Sequence, residues 1–247
     1  MSLTDAEIEQ FVGDGAVPLR QAFPRDVADD CRAILWRATG CDEHDRSTWT
    51  RPVVRIDGRG DEPFRAAINA DRLTAAFDLL AVAGRWRPRT GIGTFPIRFP
   101  HPDDPGDAGW HVEATGADAG GRPVTDPASP ERVLLLLMLF SEVGPDDAPT
   151  RVRLGSHVDA ARVLREAGRP ADFFDLASRV EAATGDRPEA LVTGEPGDVW
   201  LCHPFVLHAA QPHRGSRVRF MAQPPLPGTG PIDPSRADPS PVERAIA

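Results

Sequence analysis

The run Val133 to Phe140, VLLLLMLF, contains no polar residue. It is far too short to cross a bilayer, which takes about 20 apolar residues in a helix. An uninterrupted apolar run of this length fits a β-strand buried on both faces. Around it, from Gly91 onward, short apolar segments alternate with Gly, Pro and Asp clusters: GTFPIRF, GWHVEA, RVLLLLMLFSEV, TRVRL, EALVT, DVWLCH, FVLHAA and RVRFMAQ. That rhythm reads as an antiparallel barrel or a double-sheet jelly roll.

The first third has a different character. LTDAEIEQFVGDG offers a Thr4 cap, acidic first-turn residues and a glycine stop, so it reads as a helix. AVPLR follows as a short strand, and PRDVADDCRAILWRAT as a second amphipathic helix with Val27, Cys31, Ile34 and Leu35 on one side. Residues 62–83 carry further helical periodicity, and a helical insert near 158–184 interrupts the strands after GSH. We expect a single mainly β domain over residues 1–226 with these helices flanking it. Residues 227–247, rich in Pro, Gly and Asp, read as an irregular, mobile or surface-draped tail. At 247 residues and 40% apolar content the chain can build one substantial core.

Every cation is arginine, and the net charge is −9, which argues against a nucleic-acid backbone or an anionic membrane as partner. The three cysteines are scattered and form no CxxC, as expected of reduced thiols in a cytoplasmic protein and not of a disulfide framework or structural zinc site. The acidic start MSLTDAEIEQ has no apolar core of a signal peptide.

The chemistry gathers around GWHVEAT. On an extended strand, His111 and Glu113 point to the same face with Cα atoms about 7 Å apart, so their tips can converge on one metal ion. Taken alone, the tripeptide is equally an ordinary His/Glu pair on a solvated strand. A metal site needs another ligand, and the remaining histidines differ in context. His44 lies in the charged run CDEHDR, His101 in a Pro/Asp-rich loop, and His157 at a turn where a structural role is the default. His203 and His208 are an odd number of residues apart, so one strand cannot aim both at one point. His208 lies beside the turn-like QPHRGS; if that turn closes a hairpin, Arg219 sits on the strand next to His208 and can share its face. Two histidines and a carboxylate with open coordination positions form the ligand set of non-haem Fe(II) oxygenases. The open positions suit a chelating 2-oxo acid and O2, and an arginine suits the far carboxylate of that acid.

The ordered set FVGDGAVPLRQAFP, GWHVEAT, APTRVRLGSH and GDVWLCHPFVLHAAQPHRGSRVRFMAQPPL resembles the phytanoyl-CoA dioxygenase family of Fe(II)/2-oxoglutarate-dependent oxygenases, over about residues 10–226. The resemblance implies a double-stranded β-helix, a jelly-roll core of the cupin kind, with iron held by His111, Glu113 and His208. It implies that Arg219 grips the 5-carboxylate of 2-oxoglutarate, with Arg217 as a rival in that role, and that Arg98 assists the co-substrate or substrate. The family more often carries Asp where this chain has Glu113, and related halogenases carry Ala or Gly, so Glu113 favours hydroxylation over halogenation. Ala210 stands where a hydroxyl residue sometimes helps to hold 2-oxoglutarate. The activity implied is an oxidoreductase, a dioxygenase acting on a small-molecule metabolite or acyl substrate with release of succinate and CO2. The competing readings are a cupin-like metal hydrolase or isomerase that has no need of Arg219, and a non-catalytic jelly-roll binding module.

Overall fold

The computed structural model describes residues 2–168 and 170–247. The apolar run forms strand Leu134–Leu139 inside a five-stranded sheet, with antiparallel neighbours on both edges. Val199–Cys202 pairs on one side, with Ala16–Leu19 beyond it, and Met221–Ala222 and Pro225–Leu226 pair on the other. A smaller antiparallel sheet is formed by His208–Ala209, Arg151–Arg153 and Glu189–Leu191. Leu135, Leu137 and Leu139 pack between the two sheets with Val152, Val206 and Met221. Leu134, Leu136, Met138 and Phe140 point the other way, into a cluster with Phe11, Leu35, Phe64 and Phe77. Those partners come from the helices Asp5–Asp14, Arg25–Thr39, Glu62–Ile68 and Asp71–Phe77. The run is apolar throughout because both of its faces are covered, and each leucine so buried contributes about 1.5–3 kcal/mol over exposure.

The sheets face each other as in a jelly roll and do not close into the barrel that was the alternative reading. The helical insert consists of Ser156–Ala167 and Phe173–Ala183, which pack Leu164, Leu176 and Val180 against Phe205, Leu207 and Val112. Between these helices, Ala171–Asp172 joins Pro123–Thr125 and Gly116–Ala117 in a further small sheet. Val53–Ile56, which the sequence pattern did not single out, pairs with Phe95–Arg98. Among the described residues no helix is long and apolar enough to cross a membrane.

Three expectations need correction. GWHVEAT is not a regular strand: it makes one isolated bridge, His111 to His208, and the Glu113 carbonyl accepts from the Thr125 hydroxyl instead of from a strand backbone. The hairpin across QPHRGS does not form, because His208–Ala209 and Met221–Ala222 belong to different sheets and the chain between them crosses from one to the other. The tail, expected to be irregular, mobile or surface-draped, is mostly irregular as expected but is anchored at its end. Ser240 and Glu243 form a capping box on a short helix, Pro241–Arg244, and Val242 and Ile246 are buried. Glu243 pairs with Arg85 and Arg236. Composition reports local propensity, whereas these contacts join distant parts of the chain.

Beneath the tail lies a pair of buried histidines. Gly15, at φ 74°, ends the first helix in the left-handed region, and a Cβ there would collide with the His157 ring. The rings of His157 and His203 lie 5.2 Å apart, with His157 Nε2 donating to the Val12 carbonyl and His203 Nδ1 accepting from the Phe205 amide. Burial pushes His157 down to about 4, and burial with the neighbouring His157 pushes His203 well below the usual range. Above about pH 6.5 both states are neutral here; below it the unfolded chain takes up protons that the native fold excludes, so stability falls with pH until about 4. His157→Gln, which keeps a donor for Val12, should remove about one proton from that dependence, or ~1.4 kcal/mol per pH unit. Urea midpoints between pH 7 and pH 4.5 measure it; an unchanged slope would contradict the assignment.

Candidate metal centre

His111 and His208 exchange both backbone hydrogen bonds, at 2.9 and 3.0 Å, and so stand directly opposite one another. Their rings are 4.3 Å apart between centroids. The alternation of side chains does the rest. Val112 and Leu207 turn outward to the insert helices, which leaves His111, Glu113 and His208 on the inner side.

Each imidazole is oriented by a carbonyl two residues before it. His111 Nδ1 donates to Gly109 O at 3.0 Å, and His208 Nδ1 donates to Val206 O at 3.1 Å. That tautomer leaves Nε2 of both rings as a free lone pair, which is how a metal-binding histidine is usually prepared. His208 Nε2 is buried without a hydrogen-bond partner, 3.4 Å from Glu113 Oε1. One ligand atom from each of His111, Glu113 and His208 lies within 4.8 Å of the others, a spacing that one ion can bridge. Burial, reinforced by His208, pushes His111 down to about 4, so its ring is neutral at ordinary pH. Burial alone would raise the Glu113 carboxyl, but the adjacent His208 ring and the Arg132 charge outweigh it and hold it near 2. The neutral His111 ring, the partnerless His208 Nε2 and one anionic oxygen are therefore placed where they can take a divalent cation.

The two histidines open on a cavity of about 190 Å³, whose lining also includes Arg98, Arg219, Thr150 and Gln223. Arg219 and Arg98 are directly opposed across an antiparallel bridge, so Arg219 reaches the site from beside the strand Phe95–Arg98. Arg219 is 1% exposed. It donates to the carbonyls of Ala148 and Pro96, its Nε has no partner, and among the described residues no carboxylate forms an ion pair with it. Burial, with Arg98 alongside, pushes its guanidinium down to about 9. A buried cation without an anion is costly, and a ligand carboxylate would remove that cost. Arg217, the rival, is half exposed and engaged with Asp147 and Glu142.

Arg98 is also buried, but its Nη2 is held by both oxygens of Asp107 at 2.8 Å, and Asp107 pairs in turn with Arg55. Sequence reasoning marked the FPHPDDPGDAG loop without finding Asp107, and missed Arg132, which reaches Glu113 Oε2 at 3.4 Å. No spacing rule links Arg132 to Glu113; only the fold brings them together. Trp110 packs under two guanidinium groups, those of Arg151 and Arg153 at 4.5 and 4.3 Å, as a wall residue.

A family model for phytanoyl-CoA dioxygenase (PhyH) matches residues 11–221. Among solved structures, the chain is similar to the non-heme alpha-ketoglutarate-dependent carbocyclase SnoK from nogalamycin biosynthesis, at 16% identity, TM-score 0.61, covering 90% of this chain and 84% of that one. It is similar to HygX from Streptomyces hygroscopicus, solved with nickel and 2-oxoglutarate, at 17% identity, TM-score 0.61 and coverage of 93% and 88%. It is also similar to EctD from S. alaskensis, solved with 2-oxoglutarate and 5-hydroxyectoine, at 17% identity, TM-score 0.57 and coverage of 91% and 75%. At these identities the likeness is one of fold. No curated protein sequence matches the chain.

The donor geometry makes a direct prediction. Co(II) or Mn(II), added to the metal-free protein, should raise its melting temperature in a concentration-dependent way, because a ligand of the native state stabilises it. His111→Ala and His208→Ala should each lose the shift. If both variants retain it in full, the ion binds elsewhere.

Proposed function

The chain belongs to the phytanoyl-CoA dioxygenase family, and we propose that it is an Fe(II)/2-oxoglutarate-dependent dioxygenase that hydroxylates a small molecule. The observation that carries this reading is the pairing, in one cavity, of a His111–Glu113–His208 donor set with a buried Arg219 that lacks an anion. A hydrolase or isomerase that does not use 2-oxoglutarate would use the first feature and leave the second without a purpose. That HygX and EctD were solved with 2-oxoglutarate, one of them with a small hydroxylated molecule as well, supports the same reading.

Iron bound here would supply the redox chemistry, coupling decarboxylation of 2-oxoglutarate to succinate and CO2 with oxidation of the substrate by O2. The protein's part follows from its own side chains. His111 and His208 present Nε2 atoms of rings that are fixed by Gly109 O and Val206 O, so no reorganisation is needed on loading. Glu113 brings one negative charge and remains ionised at ordinary pH. Arg219, with a partnerless Nε and no anion of its own among the described residues, offers its guanidinium to the far carboxylate of the co-substrate, where burial strengthens the pair. Arg98, held by Asp107, adds positive charge to the same wall. The net charge of −9 gives no purchase to nucleic acid.

The deciding experiment follows succinate release from 2-oxoglutarate with Fe(II) and O2 across candidate substrates, after anaerobic assembly. Succinate that depends on both O2 and iron supports the reading; turnover of a substrate without either would replace it with the hydrolase or isomerase. Arg219→Met should raise the 2-oxoglutarate requirement strongly, by an amount equivalent to about 2–5 kcal/mol, while leaving metal affinity nearly intact. Arg217→Met should behave as wild type, and the reverse pattern would move the role by two positions. In turnover, Glu113→Asp should exceed Glu113→Gln, and Glu113→Gln should exceed Glu113→Ala, since charge and then donor are lost in turn. Equal activity across these three would remove Glu113 from the ligand set.

A further inference from the structure

Arg132 sits immediately before the buried run and is itself largely buried, with only 12% of its side chain exposed. Its Nη2 lies 3.4 Å from Glu113 Oε2 and 3.4 Å from the Ala114 carbonyl, while Nε and Nη1 are buried without hydrogen-bond partners. Glu113 is the only acid with which Arg132 pairs among the described residues. The two oxygens of Glu113 are thereby divided: Oε1 faces His208 Nε2 at 3.4 Å and the point where the donors converge, and Oε2 faces the guanidinium. The backbone beneath is tied down as well, because Thr125 Oγ1 donates to the Glu113 carbonyl at 3.0 Å.

A carboxylate can bind a metal through one oxygen or through both. We propose that Arg132 is a positioning residue that holds Oε2 of Glu113 away from the metal, so that Glu113 ligates through Oε1 alone. This inference rests on the metal reading above. Its consequence concerns coordination positions. Two histidines and one oxygen take three of an octahedral six, and a 2-oxo acid and O2 need the remaining three. A glutamate released from Arg132 has a longer arm than aspartate and a free second oxygen. It would close on the ion as a chelate and occupy a position that the 2-oxo acid requires. Arg132 therefore acts on co-substrate binding and not on metal capture. Its positive charge, if anything, opposes the cation, so its removal should leave metal affinity unchanged or tighter.

The test uses the whole chain and two readouts other than turnover. Metal affinity is measured by anaerobic Co(II) titration without 2-oxoglutarate. Co-substrate binding is then read from the visible charge-transfer band that develops when 2-oxoglutarate is titrated into the Fe(II)-loaded protein under anaerobic conditions. Arg132→Met should bind Co(II) at least as tightly as wild type, and should need about tenfold or more 2-oxoglutarate to develop half of the band, as expected when the partner of a ligating carboxylate is lost. Arg132→Lys, which keeps a cation near Oε2, should recover most of that loss. A 2-oxoglutarate titration of Arg132→Met that superimposes on wild type overturns the proposal. So does a parallel loss of metal and co-substrate binding in both variants, which is the pattern of a merely structural residue. If Arg132→Met does not fold, Arg132→Gln carries the same expectations. A wild-type protein that binds no Co(II) would instead remove the metal reading beneath the proposal, an outcome separate from the failure of Arg132 alone.

Discussion

Two-sided burial of the strand Leu134–Leu139 organises this molecule. Its odd-numbered leucines bind the small sheet and its even-numbered residues bind the N-terminal helices, so one strand joins all the layers. Neither layer could be removed without exposing a row of leucine side chains. The same alternation operates at the site: Val112 and Leu207 are drawn outward by the insert helices, and this turns His111, Glu113 and His208 inward. The three candidate donors are thus aimed by hydrophobic packing on the opposite side of their own backbones.

The polar interior is arranged at a cost that the free protein does not offset. His208 Nε2 and the Nε atoms of Arg98, Arg132 and Arg219 are buried without partners. Unsatisfied buried donors and acceptors each cost about 1–3 kcal/mol. Of these residues, Arg98, His208 and Arg219 line one cavity, an arrangement that suits charged ligands. Cations and anions are also kept in separate places there. The carboxylate of Glu113 stands with the imidazoles, Arg219 stands across the cavity, and Asp107 neutralises Arg98 beside it. The site can therefore accept a metal at one end and a carboxylate at the other.

Much of this was legible beforehand, and the reasons are specific. The buried strand, the Thr4-capped first helix and the glycine stop at Gly15 follow from local rules of burial and capping, and the structure has all three. His111 and Glu113 share a face because side chains alternate along an extended backbone, which holds even though GWHVEAT makes only one bridge. The family order pointed to His208 and Arg219, and both line the cavity.

What the chain could not state locally were its long-range partnerships. The placement of His208 beside Arg151–Arg153 and of Arg219 beside Phe95–Arg98, against the expected hairpin, depends on long-range strand pairing, and no turn motif encodes that choice. The tail looked loose by composition, yet Glu243 is held by Arg85 and Arg236 and buries the helix that carries it. The Arg132–Glu113 and Arg98–Asp107 pairs likewise join residues in separate loops and strands. Sequence by itself determined the elements, the faces of those elements and the donor types, because each depends on periodicity and the chemistry of single residues. Tertiary structure alone decided which charged groups meet, because a charge pair depends on distances across the folded core and leaves no period along the chain.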